Sequence, residues 1–164
     1  MWKFKMFLAV FIIFLLTSCT IIQTLDPVND ITNQSSEAKS HVKTLVENFG
    51  KTLQKVSVLS PSVNEEMKEN YSQYVTQDLL NRWISDPQIA PGRYVSSPWP
   101  DRIEVLDIQQ ETSTRYSVEG VIIEITSVEV VDGGAANKIP VNIIVEYEQG
   151  DWLITDFEQE KYQW

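Results

Sequence analysis

The chain has 164 residues and a formal charge of −10, which suits one domain and argues against a surface that gathers lysine and arginine on nucleic-acid phosphates or anionic lipid head groups. A content of 43% apolar and 10% aromatic residues is enough to build a core, so disorder is not the expectation for the body of the chain. Cys19 is the only cysteine and His41 the only histidine, which rules out an intramolecular disulfide, a thiolate metal cluster and the usual zinc sites.

At the amino terminus, Lys3 and Lys5 precede an unbroken apolar run from Met6 to Leu16, the charge and length pattern of an export signal. The next four residues, Leu16-Thr17-Ser18-Cys19, resemble the lipobox of bacterial lipoproteins: a branched apolar residue, two small residues, then cysteine. The resemblance implies that residues 1–18 are a signal peptide and that Cys19 is the lipidated first residue of the mature chain, its sulfur carrying diacylglycerol. Two or three acyl chains hold a protein stably on a bilayer, since each buried methylene contributes about 0.8 kcal/mol. Loss of Lys3 and Lys5 leaves 11 basic against 23 acidic residues, a net −12. The competing reading is an uncleaved anchor from Met6 to Ile22, at the short limit for a spanning helix.

Residues 20–35 turn polar without a steady period, through Asp26-Pro27, Asn29-Asp30 and Asn33-Gln34-Ser35-Ser36. The expectation is that residues 19–35 form the lipidated end and a flexible tether. A random coil of that length would hold the domain roughly 20 Å from the bilayer. From Ser36 the apolar residues Val42, Leu45, Val46, Phe49, Leu53 and Val56 follow helical steps, with Gly50 a weak point. Ser60-Pro61 restarts a helix bearing Met67, Tyr71, Tyr74 and Val75. Thr76 caps another with Leu79, Leu80, Trp83 and Ile84, which Asp86-Pro87 ends.

Turn formers fill 85–101, with Trp99 between prolines expected to cover a sheet edge, and the period then becomes strand-like. Four strands are expected near 102–111, 114–128, 138–148 and 151–160. The clearest is the third, where Ile139, Val141, Ile143, Val145 and Tyr147 alternate. Asp132-Gly133-Gly134 marks a long hairpin loop and Gln149-Gly150 a tight one. Hairpins join antiparallel strands, so residues 36–164 read as one α+β domain: two or three amino-terminal helices packed on a curved four-stranded antiparallel sheet.

This order of elements, with the Pro98-Trp99-Pro100-Asp101-Arg102 lead into the first strand and Trp152-Leu153-Ile154 in the last, resembles the NTF2-like, or cystatin-like, cone-shaped domains. The resemblance implies a pocket between helices and sheet. Tyr71, Tyr74, Trp83, Tyr116 and Asp156 would line it, with Asp107 and Glu124 as further acids; tyrosine and tryptophan at such spacings also serve as core. A pocket carboxylate raised in pKa by burial would act as a base in an isomerase or hydrolase. Asp156, Glu158 and Glu160 beside Glu146 and Glu148 lack a calcium loop and read as a solvated acidic face. No cofactor, metal or nucleic acid is implied. The expected protein is a lipoprotein on the outer face of the cell membrane. Its partners are membrane lipid, through acylated Cys19, and an envelope protein or small ligand.

Overall fold

The computed structural model describes the backbone of residues 27–160 and the side chains of residues 34–160. The signal-like segment and Cys19 lie outside the described residues. Among these, α1 (Pro27–Gly50), α2 (Val63–Tyr71) and α3 (Gln77–Ser85) precede β1 (Trp99–Thr112) and β2 (Arg115–Ile125), and α4 (Ser127–Asp132) precedes β3 (Asn137–Glu148) and β4 (Asp151–Gln159). A short 3-10 turn follows α1 at Leu53–Lys55 and another follows α3 at Pro87–Ile89. The chain is α+β, as its patterning requires.

Helix α1 turns Ala38, Val42, Leu45, Val46 and Phe49 toward the sheet, the i, i+4, i+7 stripe of a helix with one buried face. It begins at Pro27, so residues 27–35 are helical where coil was expected. Once the apolar face has fixed the first turns, each further residue adds a hydrogen bond at little cost, so the helix extends through residues 27–35. At its other end α1 crosses β1 at Gly50. A Cβ there would lie 2.4 Å from the Ile103 nitrogen and 2.9 Å from its Cβ. Gly50 is thus the point where helix and strand touch backbone to backbone.

The sheet runs in the order β1-β2-β3-β4, antiparallel throughout. Register places Ile103 opposite Ile122, Ile122 opposite Ile139, Val118 opposite Ile143 and Ile143 opposite Phe157. Directly paired residues share a face, and this one meets the helices. The other face carries Glu104, Glu119, Asn142, Asp156 and Glu158. Gln149 and Gly150 have φ of 53° and 104°, the two left-handed positions of a two-residue hairpin. The outer edge of β4 is partly covered: Thr76 donates its N–H to the Ile154 carbonyl at 3.0 Å, and Ile154 donates to the Tyr74 carbonyl at 2.9 Å.

The expected second strand stops three residues early, at Ile125, and residues 127–132 are helical instead of strand and loop. Thr126 and Glu129 form a reciprocal capping box, and the N–H of Gly133 closes the helix on the Glu129 carbonyl. Two caps override the β preference of Val128, Val130 and Val131.

Gly50→Ala should lower stability by about 1–3 kcal/mol, because overpacking against a backbone atom outweighs the ~1 kcal/mol that alanine gains in a helix. Urea unfolding of the purified protein measures this; an unchanged midpoint would refute the close approach.

Candidate functional site

The five residues expected to line a pocket fall in three places. Tyr71, Tyr74 and Trp83 come together around Phe49, with ring centroids 5.0, 5.9 and 6.2 Å from it. Phe157 closes the group from the sheet, 5.8 Å from Phe49 and 6.1 Å from Trp83. Phe49, Tyr71 and Trp83 are at most 1% exposed. The rings therefore pack the space between helices and sheet. Tyr71 donates its hydroxyl to the Pro91 carbonyl at 2.8 Å, and burial pushes its phenol well above the ordinary value of 10.0. It stays protonated and serves as a donor that satisfies a buried carbonyl.

Tyr116 stands apart, edge-on to Trp152 at 5.3 Å, with Trp152 in turn 5.2 Å from the half-exposed Tyr147. Its buried hydroxyl has no hydrogen-bond partner among the described residues. Asp156 pairs with Ile144 on the face opposite Phe157, and its carboxylate takes a 3.0 Å ion pair from Arg82. His41 is exposed on α1, 4.0 Å from Glu37. Asp107 is exposed and lines a shallow dish of about 100 Å³ on the outer sheet face with Gln109, Ser117, Glu119 and Asn142. None of the five expected lining residues borders that dish. Nor do they border the groove of about 500 Å³ between α1 and β1 that Glu47, Lys51, Arg102 and Leu106 line.

One carboxylate is deeply buried on the helix-facing side of β2. Glu124 is 2% exposed and accepts a 2.9 Å hydrogen bond from the Asn137 amide, across the β2–β3 pair. Ala136 donates its N–H to the Glu124 carbonyl at 2.8 Å. Desolvation raises the Glu124 pKa above 4.5, and the Asn137 bond pulls the other way. Glu124 thus joins the two ends of the loop that carries α4. The pocket reading did include Glu124, yet nothing in the local sequence marks it as buried, whereas Thr126-x-x-Glu129 is a legible capping box.

Among the described residues no helix is long and apolar enough to cross a membrane, and no cluster of His, Cys, Asp or Glu could hold a metal ion. No protein-family model matches the chain, and neither does any curated protein. Solved structures with a similar outline include an NTF2-like protein involved in plasmid conjugation, 10% identical with a TM-score of 0.43, which the match covers over 79% of this chain and 51% of that one. A DUF4783 family protein from Bacteroides ovatus is 12% identical, with a TM-score of 0.35 and coverage of 76% and 94%. A protein of unknown function from Bacteroides thetaiotaomicron is 13% identical, with a TM-score of 0.39 and coverage of 80% and 95%.

A raised carboxylate pKa sets the sign of a pH effect. The folded state holds the Glu124 proton to higher pH than the unfolded chain, so its contribution is complete below about 4.5 and is lost as pH climbs through the raised value. Glu124→Gln should remove that loss: the melting temperature of the variant should equal or exceed the parent's near pH 7 and fall less between about pH 4 and pH 8. A steeper fall in the variant would contradict the assignment.

Proposed function

We propose that this chain is a lipid-anchored lipoprotein on the extracytoplasmic face of the cell membrane, where its domain acts as a binding or assembly module for an envelope protein or small ligand. The observation that carries the reading is Leu16-Thr17-Ser18-Cys19 placed directly after Lys3, Lys5 and the apolar run to Leu16. Small residues before the cysteine admit a signal peptidase, and the freed Cys19 carries the acyl chains. The excess of acid over base in the domain leaves the lipid as the attachment.

The start of α1 at Pro27 supports a particular form of tether. The helix is already formed at Pro27 and lies on the sheet from Ser35 onward, so a short stretch separates Cys19 from the folded domain, which supports carriage of the domain close to the lipid. The NTF2-like resemblance offers a pocket for ligands, but aromatic rings from α1, α2, α3 and β4 occupy the space between helices and sheet. That favours recognition by the outer surface.

The second reading, an isomerase or hydrolase working inside the cone, has one observation in its favour, the raised pKa of buried Glu124. A base of that kind must face a space that a substrate can enter, and Glu124 lines neither the dish on the outer sheet face nor the groove between α1 and β1. The binding reading is preferred.

Growth with a tagged fatty acid tests the anchor. The parent chain should take up label and fractionate with membranes, and Cys19→Ala should lose both. Labelling that persists in the alanine variant would sink the proposal.

A further inference from the structure

The two edges of the sheet are finished differently. On β4, Ile154 uses both of its backbone groups on the connection between α2 and α3, through Tyr74 and Thr76. On β1, the longest strand at 14 residues, no backbone group bonds to anything but β2 among the described residues. The ladder shows which of its groups face outward. A Cβ on Gly120 would lie 3.0 Å from the Glu104 carbonyl oxygen, so Glu104 turns its N–H and C=O to β2, and its neighbours Ile103 and Val105 turn theirs away. The pairing then skips Leu106, and Asp107 falls opposite Glu119. That bulge moves the outward set by one position, to Ile108 and Gln110.

A bulge ordinarily protects an edge, because a regular strand offers a group at every second residue and loses register across the extra one. The outward positions Ile103, Val105, Ile108 and Gln110 have a further property: their spacing reads the same in both directions. An antiparallel copy of β1, centred between Leu106 and Asp107, therefore sets Val105 against Ile108 and Ile103 against Gln110, with bulge facing bulge. The side chains agree with that register. Val105 and Ile108 stand opposite Gly120 and Val118 and share the helix-facing side. On the outer side Arg102 comes opposite Glu111 of the copy, unlike charges in a cross-strand pair. Leu106, 66% exposed, meets its counterpart at the two-fold axis. Asp107 lies beside its own copy there, a repulsion that water and salt screen because the carboxylate is exposed. The groove of about 500 Å³ beside Arg102 and Val105 leaves room for the carboxyl end of the copy's strand.

We infer that β1 is a self-pairing edge, through which two copies of this chain join their sheets into one continuous antiparallel sheet. The inference needs the edge alone and not the lipid anchor. Its test co-expresses two differently tagged full-length chains, one with Glu104→Cys and one with Gln109→Cys. The register sets these positions directly opposite, at a Cα separation of about 4.5 Å, within reach of a disulfide. An oxidant added to the opened cells should join the two tags, with the bond mapped by mass spectrometry to positions 104 and 109. Chains carrying Asn142→Cys, in the middle of the outer sheet face, should stay unjoined. Leu106→Asp, which puts a further pair of like charges at the axis, should cut the mixed disulfide about tenfold while thermal unfolding of the chain stays unchanged. No mixed disulfide, one that Leu106→Asp leaves undiminished, or a dimer through Asn142→Cys in its place would overturn the inference. Each of those outcomes leaves the anchor reading standing, since fatty-acid labelling tests it separately.

Discussion

Phe49 is the contact on which the two layers depend. It belongs to α1, and its ring meets Tyr71 of α2, Trp83 of α3, Phe157 of β4 and Tyr74 in the connection between α2 and α3. Loss of a buried phenylalanine typically costs 3–5 kcal/mol against a total domain stability of 5–15. A group of that weight, one residue before the Gly50–Ile103 crossing, fixes both the height of α1 above the sheet and its rotation. Because the rings interlock edge to face, as Phe49 with Tyr71 and Trp83 with Phe157 do, the helices cannot slide without breaking several favourable ring pairs at once.

That packing has a functional consequence. A sheet that curls under three helices encloses a volume, and what fills it decides whether the domain binds inside or outside. Large rings fill it here, with Tyr71 spending its hydroxyl on the Pro91 carbonyl. On the proposed binding role, recognition falls to the periphery.

The periphery is charged but not electrostatically rigid. Arg102 is shared by Asp101 and Glu104, Arg115 by Glu111 and Glu146, and Arg82 holds Asp156. Most of these side chains keep much of their contact with water, so the pairs contribute little to stability. Their effect is to neutralise basic groups locally, leaving the surface acidic.

The sequence by itself determined features whose cause lies within a few residues. The Thr76 cap, the stop at Asp86-Pro87, the Gln149-Gly150 turn and the alternation through β3 appear where local chemistry places them. So does the α+β order, because it follows from period and loop length. Tertiary structure decided the rest. It made residues 27–35 helical, since a helix anchored by its apolar face propagates beyond the residues that specify it. It turned the expected strand end at 127–128 and the start of the loop after it into helix, because caps at Thr126 and Gly133 close on a loop that Glu124 and Asn137 hold in place. It divided the expected pocket residues, gathering Tyr71, Tyr74 and Trp83 into the core and sending Tyr116 and Asp156 elsewhere. Burial depends on which distant segments meet, and no short window of sequence contains both partners of such a contact.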